Sequence, residues 1–187
     1  MNSRNYTHHQ EEHTKVSKEE QTKVSKPYRR PVQVLKDLIR VHKDRITGYE
    51  KAAYTENGMH PDLRHILSRM ATESRSYVND LHAEVIRLGG APVTQETITG
   101  KIYLFWLDLK ADFGSEDPAA LTISSLLGAC GYGEEAMQKA YRHVLQDQDD
   151  LPDHIINLLE RQLGALESSH EQIKKIGGEY NDNNRPL

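Results

Sequence analysis

Glu167 and His170 stand three apart in the stretch Glu167-Ser-Ser-His170. On a helix that spacing puts a carboxylate and an imidazole on neighbouring positions of one face. Carboxylates suit hard ferrous, ferric and manganese ions, and imidazole completes such a shell. Helical bundles that hold two metal ions use this spacing on two helices and take a lone Glu from each of two others. This chain has one Glu-x-x-His. Asp62-x-x-His65 falls near a helix start, and Asn79-x-x-His82 lacks the carboxylate. The full set is therefore absent. A reduced site would draw on Glu134 and His170, with Glu50 and Glu73 from neighbouring helices, and would bind iron or manganese. Its reaction would be ferrous oxidation or peroxide consumption.

Four long helices must position these groups. Apolar residues recur three and four apart over Pro31 to Tyr54, through Leu35, Leu38, Ile39, His42, Ile46, Tyr49 and Ala53. A second stripe runs from Pro61 to Leu88, through Leu63, Ile66, Leu67, Met70, Ser74, Tyr77, Leu81, Val85 and Leu88, and Gly89-Gly90 ends it. A third helix is expected from Pro118 to Gln146 and a fourth from Pro152 to Ile176, with Gly177-Gly178 as its stop. Short Pro-containing turns join the helices within each pair. A long stretch, about residues 91–117, joins the pairs and carries the lone Trp106. Such a crossover lets the second and third helices point the same way, so the expected fold is an all-α, ferritin-like antiparallel four-helix bundle over residues 31–178. Residues 1–30, with TKVSK at 14–18 and again at 22–26, and residues 179–187 read as polar disordered tails. His8, His9 and His13 lie in the first tail and are read as solvated.

Helix projection orders the candidates. On the fourth helix His170 lies about 40° from the stripe centre and Glu167 about 100° from it, so the pair does not straddle the core. Glu134 projects inward, Glu50 and Glu73 lie on flanks, and Asp44 and Glu160 face out. An inward carboxylate is costly unless paired. The plain reading of Glu134 is a hydrogen bond to Tyr49, Tyr77, Tyr141 or His170. His170 and His42 read first as satisfied core histidines, and Cys130 as a small buried hydrophobe.

Composition closes other routes. The chain has 187 residues, with 24 basic and 28 acidic side chains and a net charge of -4. That balance speaks against nucleic acid and anionic membranes as partners. A single cysteine excludes an internal disulfide framework, and cytoplasmic residence is the simplest expectation. The first residues lack the apolar run of a secretory signal, and the longest apolar run, IYLFWL, is too short to span a bilayer. No Gly-rich phosphate loop, nucleophile elbow or zinc-type spacing appears.

Five pieces in order, HKDRITGYEKAA, RLGG, WLDLKA, GEEAMQKAY and LLERQLGALESSHEQI, resemble a bacterial ferritin-like four-helix-bundle family known as a domain of unknown function and often linked to stress-response genes. The resemblance spans about residues 31–177. It implies the ferritin-like fold and self-association, and it brings no established activity. Asp44, Gly48, Tyr49, Gly89, Gly90, Trp106, Lys110, Gly133, Glu134, Arg161, Gln162 and His170 match the family pattern. Ala129 and Gly131 stand where the family shows acidic residues, and Glu167 where it often shows a basic or neutral one.

Three readings emerge. The first is a non-catalytic, stress-associated bundle without a cofactor, acting by self-association, with a dimer as the expected form. The second is a degenerate iron or manganese protein. The third is an adaptor whose tails or aromatic crossover bind another protein.

Overall fold

The computed structural model describes residues 24–55, 61–93 and 123–183. Within them the protein is all-α, with four long helices. A short 3-10 turn over Lys26–Tyr28 leads into α1, Arg29–Thr55. Helix α2 spans Pro61–Arg87, α3 Ile123–Gln146 and α4 Asp153–Asn183. The expected tails at residues 1–23 and 184–187, the start of the third helix at Pro118 and the crossover around Trp106 lie outside the described residues.

The ends differ from expectation for local reasons. The described residues start at Val24, before the expected Pro31. Val24 is buried, and the Arg29 guanidinium donates to its carbonyl at 3.4 Å. Pro31 sits in the first turn of α1, where a missing N–H costs no helical bond. Gly89 ends α2 as expected, with φ at +81°. Its N–H donates to the Ile86 carbonyl and that of Gly90 to the Val85 carbonyl, both at 2.9 Å. Those two bonds satisfy carbonyls that the helix end leaves open. Gly177-Gly178 does not stop α4, which continues to Asn183. Among the described residues Gly89 alone has positive φ. A Gly-Gly pair ends a helix only where it takes the left-handed turn, and at 177–178 the backbone stays helical.

Helix α1 packs chiefly on α2, and α3 chiefly on α4. The core falls into two apolar clusters. One contains Leu35, Leu38, Ile39, Leu81, Val85, Met137, Ile155, Leu159 and Leu166. The other contains Tyr49, Ala53, Leu63, Leu67, Met70, Leu127 and Ile173. Along the chain α1 and α4 pass from the first cluster to the second, while α2 and α3 pass from the second to the first. On every helix a buried polar residue stands between the clusters: Arg45 on α1, Ser74 on α2, Glu134 on α3, and Ser169 with His170 on α4.

Gly90 makes the closest approach of the α2 end to α1. A Cβ there would stand 2.8 Å from Val32 Cγ1 and 3.1 Å from the Val85 carbonyl oxygen. Gly90→Ala is expected to cost about 1–3 kcal/mol through overpacking. Gly89→Ala, which meets nothing within 4 Å but must hold positive φ, is expected to cost about 1–2 kcal/mol. Urea denaturation of the two variants checks both values.

Candidate functional site

The layer between the clusters is built around Arg45. Its side chain is 3% exposed and that of Glu134 is 0% exposed. The Arg45 Nε–H donates to Glu134 Oε1 at 2.7 Å. Nη1 donates to the Met70 carbonyl at 3.1 Å and, more closely, to Ser74 Oγ. Nη2 lies 3.6 Å from Glu73 Oε2. The Tyr49 hydroxyl donates to the same Glu134 oxygen. The guanidinium also lies over the Tyr49 ring, 5.1 Å from its centroid, where the ring quadrupole attracts a cation. Glu73 accepts from Tyr77 at 2.9 Å and from Ser169 at 3.0 Å. One arginine thus gathers groups from α2 and α3, and Glu73 extends the set to α4.

A second chain of bonds runs from Ser74. Tyr141 has one hydroxyl proton and donates it to Gln162 Oε1 at 2.7 Å. His42 Nε2, 2.6 Å from the same hydroxyl, must then be the donor between them. That leaves His42 Nδ1 to accept from Ser74, 3.4 Å away. The polarity is continuous: Arg45 to Ser74 to His42 to Tyr141 to Gln162. It crosses all four helices.

Electrostatics follow from burial. Burial pulls the Arg45 pKa down, but Glu134, Tyr49 and Glu73 more than offset this and hold it above its ordinary value. Burial, then Arg45, lowers the His42 pKa well below its ordinary value, so the ring is neutral near pH 7. Burial and the neighbouring Glu134 raise the Tyr49 pKa, and burial with Tyr77 raises that of Tyr141. Burial, then Glu134, pushes the Cys130 thiol up to about 12. Near neutral pH this region offers no free thiolate, no phenolate and no accessible imidazole base.

The four expected metal ligands fare differently. Glu73 and Glu134 are brought together, with an arginine cation between them. Glu50 lies toward the surface and pairs with Arg75 of α2. Glu167 is exposed and pairs with Arg142 at 2.6 Å. His170 is buried, as projected, and its Nδ1 has no hydrogen-bond partner among the described residues. It is its neighbour Ser169 that reaches Glu73. Among the described residues no three His, Cys, Asp or Glu side chains gather in a way that could hold a metal ion. An iron or manganese ion between Glu73 and Glu134 would have to share its ligands with a fixed guanidinium, so this donor set does not fit one.

Of the partners considered for Glu134, Tyr49 is the one it takes. Arg45 is the residue that sequence reasoning missed. Its signal was present: Leu38, His42, Arg45, Tyr49 and Ala52 recur four and three apart and all are buried. The apolar stripe took Ile46 instead, which is only half-buried.

Burial of neutral His42 has a pH consequence. Its folded pKa lies below the unfolded value of about 6.5, so as pH falls the unfolded chain takes up the proton first. The contribution to stability is full above about pH 6.5 and is lost as pH falls below it, by up to about 1.4 kcal/mol per unit. His42→Gln is expected to flatten this slope between pH 7 and 5. Urea midpoints measured across that range for both proteins check it.

No curated protein matches the chain. A family model described as "Domain of unknown function (DUF2383)" matches residues 30–147. That span holds α1 to α3, with Arg45, Glu73 and Glu134, and stops short of α4 and His170. It covers more than half of the protein, and the chain therefore belongs to the DUF2383 family, a domain of unknown function.

Proposed function

We propose that this protein is a non-catalytic, ferritin-like bundle of the cytoplasm that acts by self-association. The observation that carries the reading is Arg45. It brings a permanent cation into the place between Glu73 and Glu134 that a metal ion would need. Arg45, Glu134, Tyr49, Ser74 and His42 are buried and joined by hydrogen bonds in one layer, and burial holds His42 neutral and Tyr49 and Cys130 protonated, states unsuited to general-base or nucleophilic work. The ferritin-like arrangement draws support from the order of the two clusters, which has α1 and α4 running one way and α2 and α3 the other. The long stretch between Val93 and Ile123 is what such an order requires. No helix among the described residues is long and apolar enough to cross a membrane. The stress association rests on the family resemblance alone.

The test is the metal content of untagged protein purified without added metal, followed by anaerobic Fe(II) titration and exposure to air. The expected result is metal well below one ion per chain, no oxidation signal above buffer, and an unchanged melting temperature. Stoichiometric iron, with an oxidation signal lost in Glu134→Ala and His170→Ala, would overturn the reading in favour of an iron-handling protein.

A further inference from the structure

The two helix pairs carry opposite charge. Residues 24–93, which hold α1 and α2, contain 12 Lys and Arg against 8 Asp and Glu, a net of +4. Residues 123–183, which hold α3 and α4, contain 5 against 11, a net of -6. The arginine contacts between the pairs follow this division, while His154 and Ser169 of the second pair meet Glu84 and Glu73 of the first at 3.2 and 3.0 Å. Arg30 meets Asp147 at 2.7 Å and Asp150 at 3.8 Å, Arg45 meets Glu134, and Arg69 donates to Gln172. In each case the arginine comes from the first pair and the acceptor from the second.

The outer surface is different in kind. Among the described residues Tyr28 and Ile86 are the large exposed hydrophobics, one in the 3-10 turn before α1 and the other near the end of α2. Neither forms the contiguous apolar patch that marks an association surface. Among the described residues the surface with charge complementarity is the one between the pairs. The segment joining them, residues 94–122, could reach up to about 3.3 Å per residue, enough for the second pair to dock on its own first pair or on a neighbour's.

We propose that two copies of the chain associate by exchanging helix pairs. The α3–α4 pair of each docks on the α1–α2 pair of the other, and each Arg45 meets Glu134 of the partner copy. This rests on the self-association reading and names the surface that would carry it. Every buried polar bond described above is kept, because the same residues meet in either connection. Exchange is a low-cost route to a dimer for that reason.

Charge reversal separates the cases. Arg45→Glu alone sets two carboxylates together in the core, and Glu134→Arg alone sets two guanidinium groups together. Each full-length variant is expected to lose the wild-type melting transition. Co-expressed, with one copy tagged, they complement each other in an exchanged dimer: Glu at 45 of one copy meets Arg at 134 of the other, and the remaining pair is the native one. The expected result is a mixed dimer by tag capture and light scattering that melts with the wild type. The double variant R45E/E134R in a single chain tests whether the reversed pair is tolerated. If the double variant folds, the wild type is dimeric and the mixture shows no recovery, exchange is wrong and self-association stands. If the double variant does not fold, the milder pair R45M and E134Q decides. A mixed exchanged dimer then holds one complete layer of two and melts above both parents, whereas a mixture that melts as the sum of its parents overturns exchange. A wild type that stays monomeric up to high concentration would sink the self-association reading and the exchange with it.

Discussion

A guanidinium buried where four helices meet is the constraint to which the rest of this structure answers. Taking a cation out of water costs several kcal/mol, and the cost is recovered only if partners surround it. Arg45 has Glu134, Glu73, the Met70 carbonyl, Ser74 and the Tyr49 ring around it. These come from α1, α2 and α3, and Glu73 is in turn held from α4 by Ser169. Sliding one helix by a turn would leave a charge buried without its partner. The apolar clusters on either side supply the bulk of the burial. The layer between them makes one register far better than its neighbours.

The same layer bears on function. Glu73 and Glu134 are the carboxylates from which a metal site would start, and here the protein sets its own cation, Arg45, between them. The neighbouring hydroxyls and imidazole are drawn into a directed chain of hydrogen bonds ending at Gln162, so their lone pairs and protons are committed. Burial then holds His42 neutral and keeps Tyr49, Tyr141 and Cys130 protonated.

Much of this was legible in the residues. The four helices and the glycine end at Gly89 came from periodicity and turn chemistry. The inward faces of Glu134 and His170 and the flanking place of Glu167 came from projection. Tyr49 stood among the anticipated partners of Glu134. Arg45 was not found, because a stripe search follows apolar residues and a charged one is assigned to solvent by default. Its inward position depends on a carboxylate 89 residues away in the chain, a tertiary fact that local pattern does not carry. Val24 was hidden in the same way, as one apolar residue within a polar repeat. The Gly177-Gly178 error had another cause. Gly-Gly permits a left-handed stop without requiring one, and at 177–178 the helix runs on through Glu179 to Asn183.

The central claim is that Arg45 and Glu134 stabilise the fold as a pair and not as separate contributors. A double-mutant cycle in urea, using Arg45→Met, Glu134→Leu and the two together, tests it directly. Each single change strands a buried partner and is predicted to cost about 3–5 kcal/mol, while the double change puts two apolar side chains in the gap and should recover most of that loss. Losses that simply add, with no coupling between the two positions, would contradict the account.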